Sequence, residues 1–101
     1  MRPLAKTFRA HGYDFTMTDR VGDVALFEKR AGTFLSFEVV IVQKHPDREI
    51  MGRPVPAAEG MPGAEQWGQK GWTCVTAEQA RTKFDAVIER ERVKAAERAM
   101  Q

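Results

Sequence analysis

Polar and apolar residues alternate through Tyr13-Asp14-Phe15-Thr16-Met17-Thr18, the period of a half-buried strand. Gly22-Asp23 suits a two-residue hairpin turn pairing Val21 with Val24, and Ala31-Gly32 suits a second one pairing Arg30 with Thr33. Under that second turn Leu26 faces Phe37 and Val24 faces Val39. The two registers together place Tyr13, Phe15, Met17, Val21, Val24, Leu26, Leu35, Phe37, Val39 and Ile41 on one sheet face, a set that a one-residue slip would scatter. Asp19 and Glu28 fall on the same face as misfits. The opposite face carries Ala25, Phe27, Phe34, Val40 and Val42, interrupted by Thr16, Thr18, Ser36 and Glu38.

The flanks read differently. Residues 1–12 suggest a short helix: Pro3 suits the first helical position, Leu4 and Phe8 share a face, and Gly12 suits the residue just past the end. His45-Pro46-Asp47-Arg48 reads as a turn with Pro second, and Glu49–Arg53 as a short fourth strand, so the meander spans 13–53. Residues 54–71, rich in Pro, Gly and Ala, read as an irregular loop with a helical turn near 62–67, followed by a short strand at 72–75. Thr76-Ala77-Glu78-Gln79 is a capping box with Gln79 reaching back to the cap, and Ala77, Ala80, Phe84, Val87 and Ile88 form one apolar stripe. The stripe fades at Glu89-Arg90-Glu91-Arg92, so the end of a 76–101 helix is expected to project. These elements predict a single α+β domain: a short N-terminal helix, an antiparallel meander of four to five strands, a Trp-bearing loop and a long C-terminal helix on one sheet face.

Composition narrows the partners. The chain has 101 residues, 43% hydrophobic and 30% charged, which fits one folded domain. The net charge of +2 conceals a gradient, with Arg2, Lys6 and Arg9 in a first segment free of acids, ahead of a slightly acidic sheet region. That basic start reads either as solvated surface or as a phosphate-contacting arm. The longest apolar run, Val39–Val42, is far shorter than a membrane span, and Met1–Gly12 lacks the apolar stretch of a secretory signal. With Cys74 the sole cysteine, no internal disulfide is available, and a cytoplasmic setting in a bacterial host cell is the expectation.

Candidate chemistry is sparse. Ser36 is the one serine and lies mid-strand, outside the contexts that activate a nucleophile. Cys74 reads as a buried thiol, or as a nucleophile only if His11 or His45 reaches it through tertiary contact. His45, Asp47 and Glu49 stand close enough in sequence to hold a cation, although turn chemistry accounts for the same residues. No phosphate-binding glycine loop precedes a helix. The expectation is a protein that is not an enzyme and takes neither cofactor nor metal.

Two features suggest binding. Trp67 and Trp72 lie five residues apart among glycines, and serve either as lids on the core or as interface anchors. The opposite sheet face, with Phe27, Phe34 and Val40, is either covered by the 54–71 loop or left for a partner or a second copy of the chain. The helix beyond Ile88 is a third candidate, either as a solvated end or as a dimer contact.

Val24-Ala25-Leu26-Phe27, then Phe37-Glu38-Val39-Val40-Ile41-Val42, then Trp67-Gly68 with Gly71-Trp72-Thr73 and the Ala80/Phe84 helix resemble small phage and prophage accessory proteins over roughly residues 20–88. Gly63-Ala64 departs from the polar capping residues expected there. The resemblance implies a non-enzymatic binder that redirects or inhibits a host protein, such as a defence nuclease. The first expectation is therefore a cytoplasmic protein-binding module using Trp67, Trp72, Phe27, Phe34 and Val40. The alternative is a nucleic-acid-binding accessory protein using Arg2, Lys6, Arg9, Arg90, Arg92 and Lys94.

Overall fold

The computed structural model describes residues 1–101. Its main sheet has five antiparallel strands in the order β1 (Thr7–Ala10), β2 (Tyr13–Val21), β3 (Val24–Ala31), β4 (Phe34–Ile41) and then β9 (Gly71–Cys74) at the far edge. The N-terminal segment is a strand, which corrects the helix expected over 1–12. Leu4 and Phe8 are an even number of residues apart, so their spacing serves a strand as well as a helix, and an isolated nine-residue helix is marginal in water. His11 and Gly12 settle the choice. Both have positive φ (54° and 82°), the signature of a type I′ hairpin turn, and they join Ala10 to Tyr13.

The second and third hairpins keep the expected faces with two changes. Val21 pairs with Val24 as expected, but the β3–β4 loop is Gly32-Thr33, and Ala31 pairs with Phe34. Gly32, with φ 59°, takes the first turn position, where a II′ turn needs glycine. Every β3–β4 pair therefore moves by two residues, which preserves side-chain parity: Leu26 meets Val39 and Val24 meets Ile41.

The other change is a β-bulge. Met17 pairs with Phe27, and Asp19 pairs with Leu26, leaving Thr18 extra. Its hydroxyl donates to the Leu26 carbonyl at 3.3 Å. The extra residue flips the first half of β2, so Tyr13, Phe15 and Met17 join Ala25 and Phe27 instead of Val24 and Leu26. It also resolves the Asp19 misfit, since Asp19 Oδ2 receives Arg81 from the helix at 3.0 Å.

The helix α1 (Ala77–Ala99) covers the first face. Ala80, Phe84 and Val87 pack onto Val24, Leu26, Phe37, Val39 and Ile41, joined by Cys74 and flanked by Trp72 and Ile88. Thr76 caps the helix by accepting the Gln79 N–H at 3.1 Å. Gln79 Oε1 reaches Val75 N–H at 3.2 Å rather than the cap residue. Beyond Ile88 the helix is mostly exposed, including Val93. No helix is long and apolar enough to cross a membrane.

The opposite face is also covered. Phe15, Ala25, Phe27, Val40 and Val42 form a second core beneath Leu4, Phe8, Met17 and Met61. Of the residues expected to form an irregular loop, 54–60 belong to a fourth hairpin. It also replaces the expected fourth meander strand Glu49–Arg53 with two short strands joined by a turn at Met51-Gly52, outside the main sheet. β5 (Gln43–His45) pairs with β8 (Ala58–Gly60), and β6 (Arg48–Ile50) pairs with β7 (Arg53–Val55). The ladder breaks at Pro46-Asp47 and Pro56-Ala57, where proline has no N–H to donate, and Asp47 Oδ1 accepts the Ala57 N–H instead. A single 3₁₀ turn, Ala64–Gln66, falls within the helical turn expected at 62–67.

Candidate functional site

The 43–60 hairpin is an arm whose base is tied to the sheet. The Arg20 guanidinium grips the Glu59 carboxylate with two bonds of 2.8 Å, and Leu4 N–H donates to the same carboxylate at 2.9 Å. The backbone of Arg2 pairs with Ala57 and Glu59 at 3.0 and 2.8 Å. The Arg20 hydrogen bonds, with the Leu4 N–H adding to them, hold the Glu59 carboxyl down at about 2, and the same pairing raises Arg20. Arg20 Nε also donates to the Gly22 carbonyl at 2.8 Å, so the guanidinium is fixed on both sides.

The tip of the arm is apolar. Ile50 and Met51 are exposed, Met51 at 97%, with half-buried Val55 nearby. Met51 and Gly52 have φ of 53° and 79°, a second I′ turn. Asn is favoured at the first position of such a turn, whereas a methionine held in the left-handed region costs about 1 kcal/mol. Nothing in the fold uses the Met51 side chain to recover that cost.

A second feature lies on the body of the protein. Phe8, Phe15, Met61, Pro62 and Trp67 wall a cavity of about 400 Å³, with His11 also lining it. Phe8 stacks on Phe15 with centroids 4.8 Å apart and an 8° interplanar angle. Lys29 and Glu38 also line the cavity, with Nζ 3.1 Å from a Glu38 carboxylate whose side chain is only 6% exposed. They are diagonal neighbours in the β3–β4 ladder, where Phe27 opposes Glu38 and Lys29 opposes Ser36. Lys29 Nζ also sits 4.3 Å from the centre of the Tyr13 ring.

The sequence-predicted residues separate clearly. Trp67, 37% exposed, lines the cavity, and its Nε1–H donates to Thr73 Oγ1 at 3.1 Å. Its ring lies so close to Gly71 that a Cβ there would meet it at 2.5 Å. Trp72 faces the helix side of the sheet, with Lys83 and Arg90 over its ring at 5.3 and 5.0 Å. Phe27 and Val40 are fully buried, which corrects their assignment to a partner surface: β1 and the segment carrying Met61 close that face. Phe34 remains exposed beside Tyr13, with centroids 5.9 Å apart.

The cations of the nucleic-acid alternative are mostly engaged. Arg9 pairs with Asp14 at 2.9 Å, Arg92 with Glu89 at 2.6 Å, and Lys94 with Glu91 at 3.6 Å. Arg90 donates to the Gln69 carbonyl and contacts Glu91. Arg2 fastens the arm through its backbone, and Lys6 accepts the Met17 N–H through its carbonyl. Cys74 is buried, and that burial pushes its thiol up, against a smaller opposing effect of Lys83. Among the residues proposed for a cation, Asp47 instead holds the arm's backbone. No group of three or more His, Cys, Asp or Glu is arranged to hold a metal ion.

Several of these functional candidates carry no local sequence motif. The visible signals for the cavity are Trp67 and Glu38, the latter a charge within the apolar run Phe37–Val42. Lys29 acquires its role through the β3–β4 register, and Arg20 and Glu59 acquire theirs through contact between two separate sheets. Compared with known proteins, the chain matches no family model, no curated protein and no solved structure.

Proposed function

We propose that the protein is a non-catalytic protein-binding module, of the accessory kind that phages encode, acting in the bacterial cytoplasm by occluding a host protein with the tip of its 43–60 arm. The observation that carries this reading is Met51: a large apolar side chain, 97% exposed, held in a left-handed turn position that disfavours it. A solvated hairpin tip has no use for such a residue, whereas an interface anchor does. Ile50 adds apolar surface beside it, and the Arg20–Glu59 clamp limits the entropy lost when the arm docks.

The nucleic-acid alternative draws less support, because Arg9, Arg90, Arg92 and Lys94 contact nearby acids. A homodimer through the second sheet face draws less still, since Leu4, Phe8 and Met61 already cover it. The test is affinity capture from nuclease-treated host lysate with the wild-type protein and with Met51→Asn. Asn fits the turn, so the fold is kept while the apolar anchor is removed. The proposal requires a discrete host protein retained by the wild type and lost by the variant; equal retention by both overturns it.

A further inference from the structure

The cavity walled by Phe8, Phe15, Met61 and Trp67 is separate from the arm tip and has a chemistry of its own. Its walls are flat and apolar, with two stacked phenyl rings on one side and an indole fixed against Gly71. Such walls favour a planar ring over a branched or flexible chain. At about 400 Å³ the cavity lies near the small end of ligand pockets, which run from about 300 to 1,000 Å³.

The polar groups are more selective than the walls. Glu38 and Lys29 present a carboxylate acceptor and an ammonium donor 3.1 Å apart. Their charges cancel, so a cation would be opposed by Lys29 and an anion by Glu38. The hydrogen-bonding capacity of the pair is far from filled. A carboxylate offers about four acceptor positions, and the one polar contact of the Glu38 side chain is Lys29. Ser36 Oγ, opposite Lys29 in the ladder, is buried with no hydrogen-bond partner. Ser36 does not line the cavity, so the groups a ligand can complete there are Glu38 and Lys29, and partners for a carboxylate buried this deeply recover part of its desolvation cost.

The complementary ligand is uncharged and planar, with a donor beside an acceptor on one edge. An indole, which only donates, would answer Glu38 and leave Lys29, and a phenol would have to answer both groups through a single oxygen. An aliphatic amide would answer both but would leave the aromatic walls unfilled. A ring N–H adjacent to a ring carbonyl meets every requirement: the N–H donates to Glu38, and the carbonyl accepts from Lys29. We propose that this cavity binds a heterocycle of that kind, the lactam edge of a uracil- or guanine-type base, between its aromatic walls.

The direct test is a titration of the full chain with uridine, guanosine and 3-methyluridine, followed by proton–nitrogen NMR. The readouts are the Trp67 indole N–H and the backbone signals of Lys29 and Glu38. Uridine and guanosine should shift these signals saturably at millimolar or lower concentration. 3-Methyluridine, whose ring N–H is blocked, should bind about tenfold or more weakly, as expected when a buried acceptor loses its donor. Glu38→Gln should weaken uridine by a similar factor. The methylated ligand makes the same comparison on the unaltered protein, so the test survives a variant that fails to fold. A short oligouridylate identifies the source. Affinity equal to that of uridine points to free nucleosides, and much tighter binding points to single-stranded RNA; either supports the pocket when methylation still discriminates. Absence of shifts with both nucleosides, or equal binding of uridine and 3-methyluridine, overturns the proposal.

Discussion

Replacing Glu59 with Gln removes the charge that fastens the arm while keeping the size of the side chain. In the folded protein the carboxyl lies at about 2 against an ordinary 4.5. At about 1.4 kcal/mol per decade that gap corresponds to roughly 3 kcal/mol, and screening at a site where Arg20 is partly open to water reduces it to about 1–2 kcal/mol. Because the folded value is depressed, this stability is complete above the unfolded value of 4.5 and is lost as pH falls through the folded value near 2. The assay is urea unfolding of wild type, Glu59→Gln, Arg20→Gln and the double variant, at neutral pH and near pH 2. The double-mutant cycle should give a coupling of about 1–2 kcal/mol at neutral pH, fading toward zero in acid. Hydrogen exchange at the Glu59 amide, which donates to the Arg2 carbonyl, should accelerate in each single variant. Zero coupling at neutral pH, or coupling just as strong near pH 2, would refute the reasoning.

Three further outcomes follow from the packing and the turns. Met51→Asn should raise stability by about 0.5–1 kcal/mol, seen as a higher midpoint in thermal unfolding, because it relieves the left-handed methionine. Gly71→Ala should destabilise by about 1–3 kcal/mol and alter the indole fluorescence, since the new Cβ must displace the Trp67 ring. Cys74 should react with an alkylating reagent far more slowly in native protein than in urea, as mass spectrometry would record, because it is buried and its thiol is pushed up.

What the sequence revealed followed from parity, and what it concealed followed from single insertions and long-range pairing. The β3–β4 faces were legible despite a misplaced turn, because a shift of two residues leaves Leu26, Phe37 and Val39 on the same side. The helix was legible from Thr76 and the Ala80–Phe84–Val87 stripe. The bulge at Thr18 was not, since threonine is an ordinary strand residue; its trace was Asp19, a charge apparently on an apolar face. The arm was hidden because Pro46, Pro54 and Pro56 read as loop, while a two-stranded ladder tolerates Pro54 opposite Glu49. Beyond the charge of Glu38 in an apolar run and the loop tryptophan Trp67, the cavity had no local signature, because β1, the Lys29–Glu38 diagonal and residues 61–67 meet only in the folded chain. Trp67 alone was anticipated at that site, and Phe27 and Val40 were misassigned because the cover over their face comes from distant segments.

Placing a photocrosslinking amino acid at position 51 and, separately, at the exposed helix position 85, followed by irradiation in the host cell, tests the binding-module account most directly. The account predicts one discrete protein adduct from position 51 and none from position 85. No adduct from position 51, or the same adducts from both positions, would contradict it.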